Sequence, residues 1–534
     1  MQPASPPRPV WPWLAPTLAL ALGWAALVRV PLVLNAASHL DSDLAVDGLT
    51  LLDAVDGRWR WHYPGTPYMG TPPVLLSWVQ AKVWGVGPGS LVSGGLVAYS
   101  ALIAATFGLN LRAFGPRAAA WGLVPLAFAS TGTAWLAGRI TGGHLLTAAW
   151  HAGAFAILAD ALRRGGVGRS AALGAWCGLG IWLDSMFAVT WLGLVPAAVV
   201  GWRGSRGAGG PTARPFACAL AFALAAGVGV APRFVGARVD PHDAYREQFA
   251  LVTRGDVLAE HARILRLDCL PRLIAGHRLP GLQADPSPQS LPNGRRASRP
   301  AFDGLAPAVV RLSLGLFAAS LLALASGRGP GADPVSRAVR LGLFASSLVV
   351  VAGFVVNRNI FNSDNYRYLV FLLVPWSSGF GLLMARWAAK RAWAAGAVAL
   401  GFASLMTVDT ARWYARFGWV DAAGRPVTAA VEDPALAWLA DHPEVSAIYA
   451  DYWDAYRLAF LTGGRVRGVP FPEYPDRFPE VARGLPGGRP RTLIVRPGPV
   501  GPGYRARALQ QGGREVARGD GLSIVDWPPS GIAP

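Results

Sequence analysis

The sequence predicts a mainly α protein: a polytopic transmembrane helix bundle of roughly eleven spans with a small C-terminal α/β domain. Three observations predict this. Of 534 residues, 52% are hydrophobic and only 15% charged, where a soluble protein carries about 25%, and the mean hydropathy is +0.33. The 49 basic residues outnumber the 31 acidic ones for a net charge of +18, yet Lys82 and Lys390 are the only lysines. The arginines sit in short clusters between apolar runs, which is the positive-inside pattern of a membrane protein and not a basic face for nucleic acid. Beyond Asp409, the long apolar runs give way to short alternating pieces. Disordered, fibrous and simple cytosolic proteins are excluded. The three cysteines, Cys177, Cys218 and Cys269, imply no disulfide framework.

A bilayer core about 30 Å thick needs about 20 apolar residues per helix. The expected spans run near Trp13–Leu34, Gly89–Leu111, Ala118–Ala137, Gly142–Leu162, Ala171–Trp182, Ser185–Gly201, Pro215–Ala231, Leu305–Ala325, Val339–Val356, Leu369–Ala385 and Ala392–Val408. Asp184 alone interrupts the stretch 171–201, which suits a bent pair with a tight turn. The first span is read as an uncleaved helix, although Asn35-Ala36-Ala37-Ser38 resembles the end of a signal peptide. Every second loop is basic: Arg8; Arg112 and Arg117; Arg163, Arg164 and Arg169; Arg203, Arg206 and Arg214; Arg328, Arg337 and Arg340; Arg386, Lys390 and Arg391. These loops are assigned to the cytoplasm. The opposite side receives the outer loops 35–88 and 233–304, the Asp184 turn, the segment Asn357–Tyr368 and the whole tail. The chain is thus expected in the cell (inner) membrane, with residues 1–408 forming the transmembrane domain.

Residues 409–534 form the expected extracytoplasmic domain. Ser446–Ala450, Arg465–Phe471 and Arg491–Arg496 read as strands, with Pro434–Asp441, Trp453–Leu461 and Arg477–Arg483 as helices between them. No phosphate-cradling glycine loop occurs at a strand-to-helix junction there. Arg203–Arg214 and Ser326–Pro334 read as Gly/Pro-rich connectors.

Ionisable residues near a bilayer are costly and therefore informative. Outside the basic clusters they gather at the outer helix ends. His39, Asp41, Asp43 and Asp47 follow the first span, Arg139 and His144 flank the junction of the third and fourth, and Asp184 marks the next turn. Asn357, Arg358, Asp364, Tyr366 and Arg367 join the ninth span to the tenth. Carboxylates and arginines at one surface suit a lipid phosphate headgroup; a pump would place carboxylates nearer the midplane. Each residue also has a plainer reading. The aspartates solvate a loop or start a helix, Asp53 and Asp56 pair with Arg58 and Arg60, and Arg139 and Arg367 snorkel to the interface. Trp59, Trp61 and Tyr63 fit an aromatic belt. His39, Asp41, Asp43 and His62 lack compact ligand spacing, so no metal is favoured.

Ser42-Asp43-Leu44-Ala45-Val46-Asp47-Gly48-Leu49 and Tyr63-Pro64-Gly65-Thr66-Pro67-Tyr68-Met69-Gly70 resemble the first periplasmic loop of bacterial membrane glycosyltransferases of the GT-C fold, in the family-39-like group related to protein O-mannosyltransferases. Gly142-Gly143-His144, Trp182-Leu183-Asp184, Arg367-Tyr368-Leu369 before Pro375, and Tyr452-Trp453-Asp454-Ala455-Tyr456-Arg457 extend the resemblance over most of the chain. It implies transfer of a sugar from a polyprenyl-phosphate donor to a hydroxyl acceptor on a glycan, lipid or protein, with inversion. It makes Asp43 the catalytic base. Arg367, with Arg139 and Arg358, would meet the donor phosphate, and His144, Asp184 and Tyr366 would line the substrate site. The glutamate usual after the aspartate is Leu44 here, which weakens the case for a metal and leaves Asp41 or Asp47 as acidic helper. The amphipathic stretch Asp256–Leu267 would cover the site from the membrane surface. A polar-lipid transporter or flippase and a catalytically inactive relative are the rival readings.

Overall fold

The computed structural model describes residues 12–140, 143–207, 215–239, 250–277, 305–326, 333–430, 432–485, 488–519 and 521–527. Gly142 of the Gly-Gly-His motif, residues 278–304 of the long outer loop and most of the two Gly/Pro-rich connectors lie outside them.

Among the described residues, nine helices are long and apolar enough to cross a membrane: Leu14–Leu34, Pro88–Phe114, His144–Arg164, Ser185–Gly204, Pro215–Val235, Ala306–Ala325, Pro334–Val356, Asp364–Ala388 and Ala392–Arg416. The protein is a multi-pass membrane protein. Two of the eleven expected spans take another form. Residues 116–137 are not one helix but three short ones, Pro116–Gly122, Val124–Ala127 and Thr131–Ala137. Pro125 forces a new first turn, since its ring leaves no N–H to donate, and the Ser130 hydroxyl caps the third piece by accepting from Thr133 N at 3.1 Å. The fifth expected span is a helix of 17 residues, Val167–Leu183. Asp184 then turns the chain, its carboxylate accepting from Met186 N at 2.8 Å.

Close helix packing in an apolar solvent relies on small residues. A Cβ on Gly178 would lie 2.2 Å from Ala226 O, and one on Gly229 2.5 Å from Ala175 O, so glycine lets Val167–Leu183 touch the backbone of Pro215–Val239.

The loops sort by charge. At one end Arg163 pairs with Asp333 at 2.9 Å and reaches the Arg112 carbonyl, while Arg340 and Arg386 both reach Ser326 Oγ at 3.4 Å. Four of the basic loops, those of Arg112, Arg163, Arg340 and Arg386, therefore converge. The acidic loop, Asp184 and Arg367 gather elsewhere, around helix Ser42–Val55 and the hairpin of β1 (His62–Tyr63) and β2 (Thr66–Gly70).

The C-terminal unit is a five-stranded sheet. Its strands β3 (Ala447–Ala450), β4 (Arg467–Pro470), β5 (Thr492–Val495), β6 (Arg514–Gly519) and β7 (Leu522–Asp526) lie in the order β4-β3-β5-β7-β6. The first three are parallel; β7 runs antiparallel to β5 and β6. Alternation splits the buried side chains between two faces: Ile448, Ala450 and Ile494 on one, Tyr449, Leu493 and Val495 on the other.

Helix Tyr452–Leu461, which follows β3, seats this unit on Ser42–Val55. Ser42 Oγ donates to the Tyr452 carbonyl and accepts from Arg457 N at 3.3 Å. Six residues along, a Cβ on Gly48 would stand 2.6 Å from the Phe460 ring. Gly48→Val is therefore expected to push the two helices apart. A loss of about 1–3 kcal/mol is anticipated for such overpacking, read as earlier thermal unfolding and faster proteolysis of the C-terminal unit. Wild-type resistance would show that the ring moves aside freely.

Candidate active site

Asp41 caps the N-terminus of Ser42–Val55, its carboxylate accepting from Leu44 N at 3.0 Å. Asp43 thus lies in the first helical turn, where the helix dipole favours a negative charge. Its side chain is 24% exposed. Three groups hold it. The Tyr452 hydroxyl donates to Asp43 Oδ1 at 2.7 Å, the Tyr63 hydroxyl donates to its backbone carbonyl at 2.9 Å, and Arg367 Nη1 stands 3.9 Å from Oδ2. That last separation is an ion pair without a hydrogen bond, and Arg367 Nε meets no acceptor among the described residues.

From Arg367 the cluster continues inward. Its guanidinium lies 5.4 Å from the centre of the Tyr368 ring, and that ring meets His144 edge-on at 5.7 Å. His144 Nδ1 is 3.3 Å from Asp184 Oδ2, and a β-bridge between Asp184 and Met69 ties that turn to β2. The structure therefore brings Asp41, Asp43, Arg139, His144, Asp184 and Arg367 to one place, although they come from five separate parts of the chain.

Other sequence candidates sit differently. Arg139 is committed to an ion pair with Asp41, which leaves Arg367 as the looser cation. Arg358 is exposed and joins the Ala250 carbonyl through its backbone N–H. Tyr366 is buried with its hydroxyl donating to Gly132 O at 3.0 Å, so it braces the bundle away from Asp43. His39 is buried too, its Nε2 2.9 Å from Leu32 O, and burial pushes its pKa down to about 4. Among the described residues no three His, Cys, Asp or Glu side chains converge as metal ligands would. The stretch expected as an amphipathic cover forms helix Gly255–Ile264, which packs against the helix Pro334–Val356, with His261 Nδ1 2.9 Å from Val355 O. It leads on to Arg272, 3.3 Å from Asp364 Oδ1.

Asp47 lies one turn below Asp43 and is only 1% exposed. Burial, reinforced by the charge of Asp43, holds its pKa well above the ordinary carboxylate value. Burial thus favours the neutral form of Asp47. A raised acid stabilises the fold fully below its unfolded value and loses that contribution as pH climbs. Asp47→Asn, which is neutral at every pH, is expected to match the wild type near pH 4 and to unfold at a higher temperature as pH rises. Each pH unit of displacement is worth about 1.4 kcal/mol. Parallel melting curves across pH 4–8 would contradict this.

Sequence reasoning missed three contributors: Tyr63 as a hydrogen-bond donor, Tyr452 and Arg477. Arg477 Nε donates to the Tyr452 hydroxyl oxygen at 3.3 Å and Nη1 donates to Gly65 O at 3.0 Å. Tyr452 stood in a recognised tail motif but without a role; Arg477, read as the first residue of a tail helix that in fact begins at Pro479, gave no functional signal. Burial first, and the Asp43 charge second, push the Tyr452 hydroxyl pKa above its usual range, so it remains a donor.

No family model matches the sequence, and no curated protein resembles it closely enough to count as a relative. Solved structures do. ArnT from Cupriavidus metallidurans bound to undecaprenyl phosphate aligns over 98% of this chain and 99% of its own, with TM-score 0.55 and 15% identity. Its apo state aligns over the same shares, with TM-score 0.55 and 14% identity. The Archaeoglobus fulgidus oligosaccharyltransferase in complex with Zn and sulfate aligns over 90% of this chain and 68% of its own, at TM-score 0.49 and 11% identity, too distant to build on. A likeness at such low identity is one of fold, and it runs nearly end to end: the chain has the GT-C fold, the fold of ArnT.

Proposed function

We propose that the protein is a membrane glycosyltransferase that moves a sugar from a polyprenyl-phosphate donor to a hydroxyl acceptor at the outer surface of the cell (inner) membrane. The observation that carries this reading is the meeting of Asp43 and Arg367, 3.9 Å apart, at the end of the bundle away from the basic loops. The fold shared with a structure that holds undecaprenyl phosphate supports a lipid-phosphate donor. In this reading residues 409–534 form an extracytoplasmic domain on a transmembrane domain of residues 1–408.

An acceptor hydroxyl is a poor nucleophile while it keeps its proton. Asp43 takes that proton as the acceptor oxygen bonds to C1 of the sugar. The bond between C1 and the phosphate oxygen breaks on the opposite face, and the electron pair leaves with the lipid phosphate. Arg367 lies where the new charge develops. One displacement inverts the anomeric centre. Asp41 and Arg139 neutralise one another and fix the loop, and His144 with Asp184 holds Tyr368 beside Arg367.

The test is reconstitution in proteoliposomes with a panel of radiolabelled polyprenyl-phosphate sugars and externally added acceptors. Release of polyprenyl phosphate together with an inverted glycosidic product supports the reading. Passage of the intact lipid across the bilayer with no glycosidic bond formed would replace it with a transporter.

A further inference from the structure

The tail unit does more than sit beside the acidic loop: its side chains reach the one carboxylate on which the proposed chemistry depends. Asp43 Oδ1 accepts from the Tyr452 hydroxyl at 2.7 Å, and the Tyr452 oxygen in turn accepts from Arg477 Nε at 3.3 Å. The direction of this chain follows from elementary donor and acceptor inventory. An arginine has no acceptor, so its N–H must point at the phenol oxygen. The phenol has a single proton and therefore donates it to Asp43. Oδ1 is thereby occupied, and Oδ2, the oxygen facing Arg367 at 3.9 Å, is left open.

The relay is held rigidly at its outer end. Arg477 Nη1 donates to Gly65 O at 3.0 Å, in the turn of the β1–β2 hairpin, and the neighbouring Asp476 is occupied by the Tyr456 hydroxyl at 2.7 Å. Among the described residues, the side chain of Arg477 hydrogen-bonds to the Tyr452 hydroxyl and to Gly65 O rather than to a carboxylate. Its charge is therefore not spent on a surface pair but faces Tyr452 and, beyond it, Asp43, whose charge acts on it. Tyr474 stacks on the Tyr452 ring at 5.3 Å and fixes its plane. Both relay residues follow carboxyl ends of parallel strands, β3 for Tyr452 and β4 for Arg477, the edge where open α/β sheets present functional groups.

We infer that Tyr452 and Arg477 are positioning residues of the transferase reaction: they orient Asp43 and make Oδ2 its working oxygen, so that the C-terminal unit is part of the catalytic apparatus. This rests on the reading of Asp43 as the base. A hydrogen bond made to the ionised form of a group favours that form, and one to a charged acceptor is worth enough to alter a rate about ten- to hundredfold.

The experiment measures kcat, donor KM and the pH profile for Tyr452→Phe, Arg477→Ala and the double variant in the full-length protein. Tyr452→Phe keeps the ring that stacks on Tyr474 and loses only the hydroxyl. Its kcat is expected to fall about ten- to hundredfold, with donor KM unchanged and the acid limb of the profile displaced upward by about one pH unit. Arg477→Ala should move both quantities in the same direction by less. The double variant should be no worse than Tyr452→Phe, because groups acting in series are not additive. Wild-type kcat and acid limb in Tyr452→Phe would overturn the inference, as would full additivity in the double variant. Asp43→Asn measured alongside separates the two ideas: if it keeps wild-type activity, the base assignment fails and the relay falls with it. An inactive Asp43→Asn beside an unaltered Tyr452→Phe removes the relay alone.

Discussion

Asp43→Asn is expected to lower kcat by about 10²–10⁴-fold, the range that a positioned general base contributes, while donor binding stays near the wild-type level. The side chain keeps its size and its hydrogen bond from Tyr452 but can no longer accept the acceptor's proton. The neighbouring carboxylates do not offer a substitute. Asp41 is taken by Arg139 and by the helix N-terminus, and Asp47 is buried where its neutral form is favoured. Single-turnover release of polyprenyl phosphate separates the chemical step from binding. Near-normal turnover would exclude proton removal by residue 43.

Arg367→Gln is expected to cost about 10²–10³-fold in kcat, comparable to removing one preorganised donor from a site of developing charge. Arg367 is the better lever than Arg139 because its only carboxylate within ion-pair distance among the described residues is Asp43, and that contact is loose. A glutamine keeps polarity but not the charge needed as the lipid phosphate departs. Arg367→Lys should recover part of the loss, since a lysine restores the charge without the planar fork. An equal loss in Lys and Gln would assign the residue to packing on Tyr368. The matching readout is product inhibition by polyprenyl phosphate, which should weaken in the Gln variant.

Much of the architecture was legible because a bilayer imposes length and polarity on every spanning helix. The arginine-rich connections marked their boundaries, and the strands β3, β4 and β5 announced themselves by apolar residues at alternate positions. The span expected over Ala118–Ala137 misled because its apolar length outweighed Pro125, at which the helix breaks. The strands β6 and β7 escaped notice for another reason: Arg514–Gly519 is an exposed edge strand with little apolar alternation to read. At the site, the acidic loop, His144, Asp184 and Arg367 stood out as polar groups at the ends of apolar runs. Tyr366 and Arg358 shared that signature yet face elsewhere, since position along the chain does not decide which way a side chain turns within one helical turn. Arg477 carried no such mark. Only tertiary proximity to Tyr452 distinguishes it from the many other arginines of the tail.

The contact between Asp43 and Tyr452 spans 409 positions of sequence. Its partners leave the ribosome far apart in time, and closing so long a loop is slow and comes late in folding. A nascent chain interrupted between the helix ending at Arg416 and residue 452 would carry its spanning helices and still lack the wall that steadies residue 43. Under the proposed function, such a chain stays an inert scaffold until that contact closes.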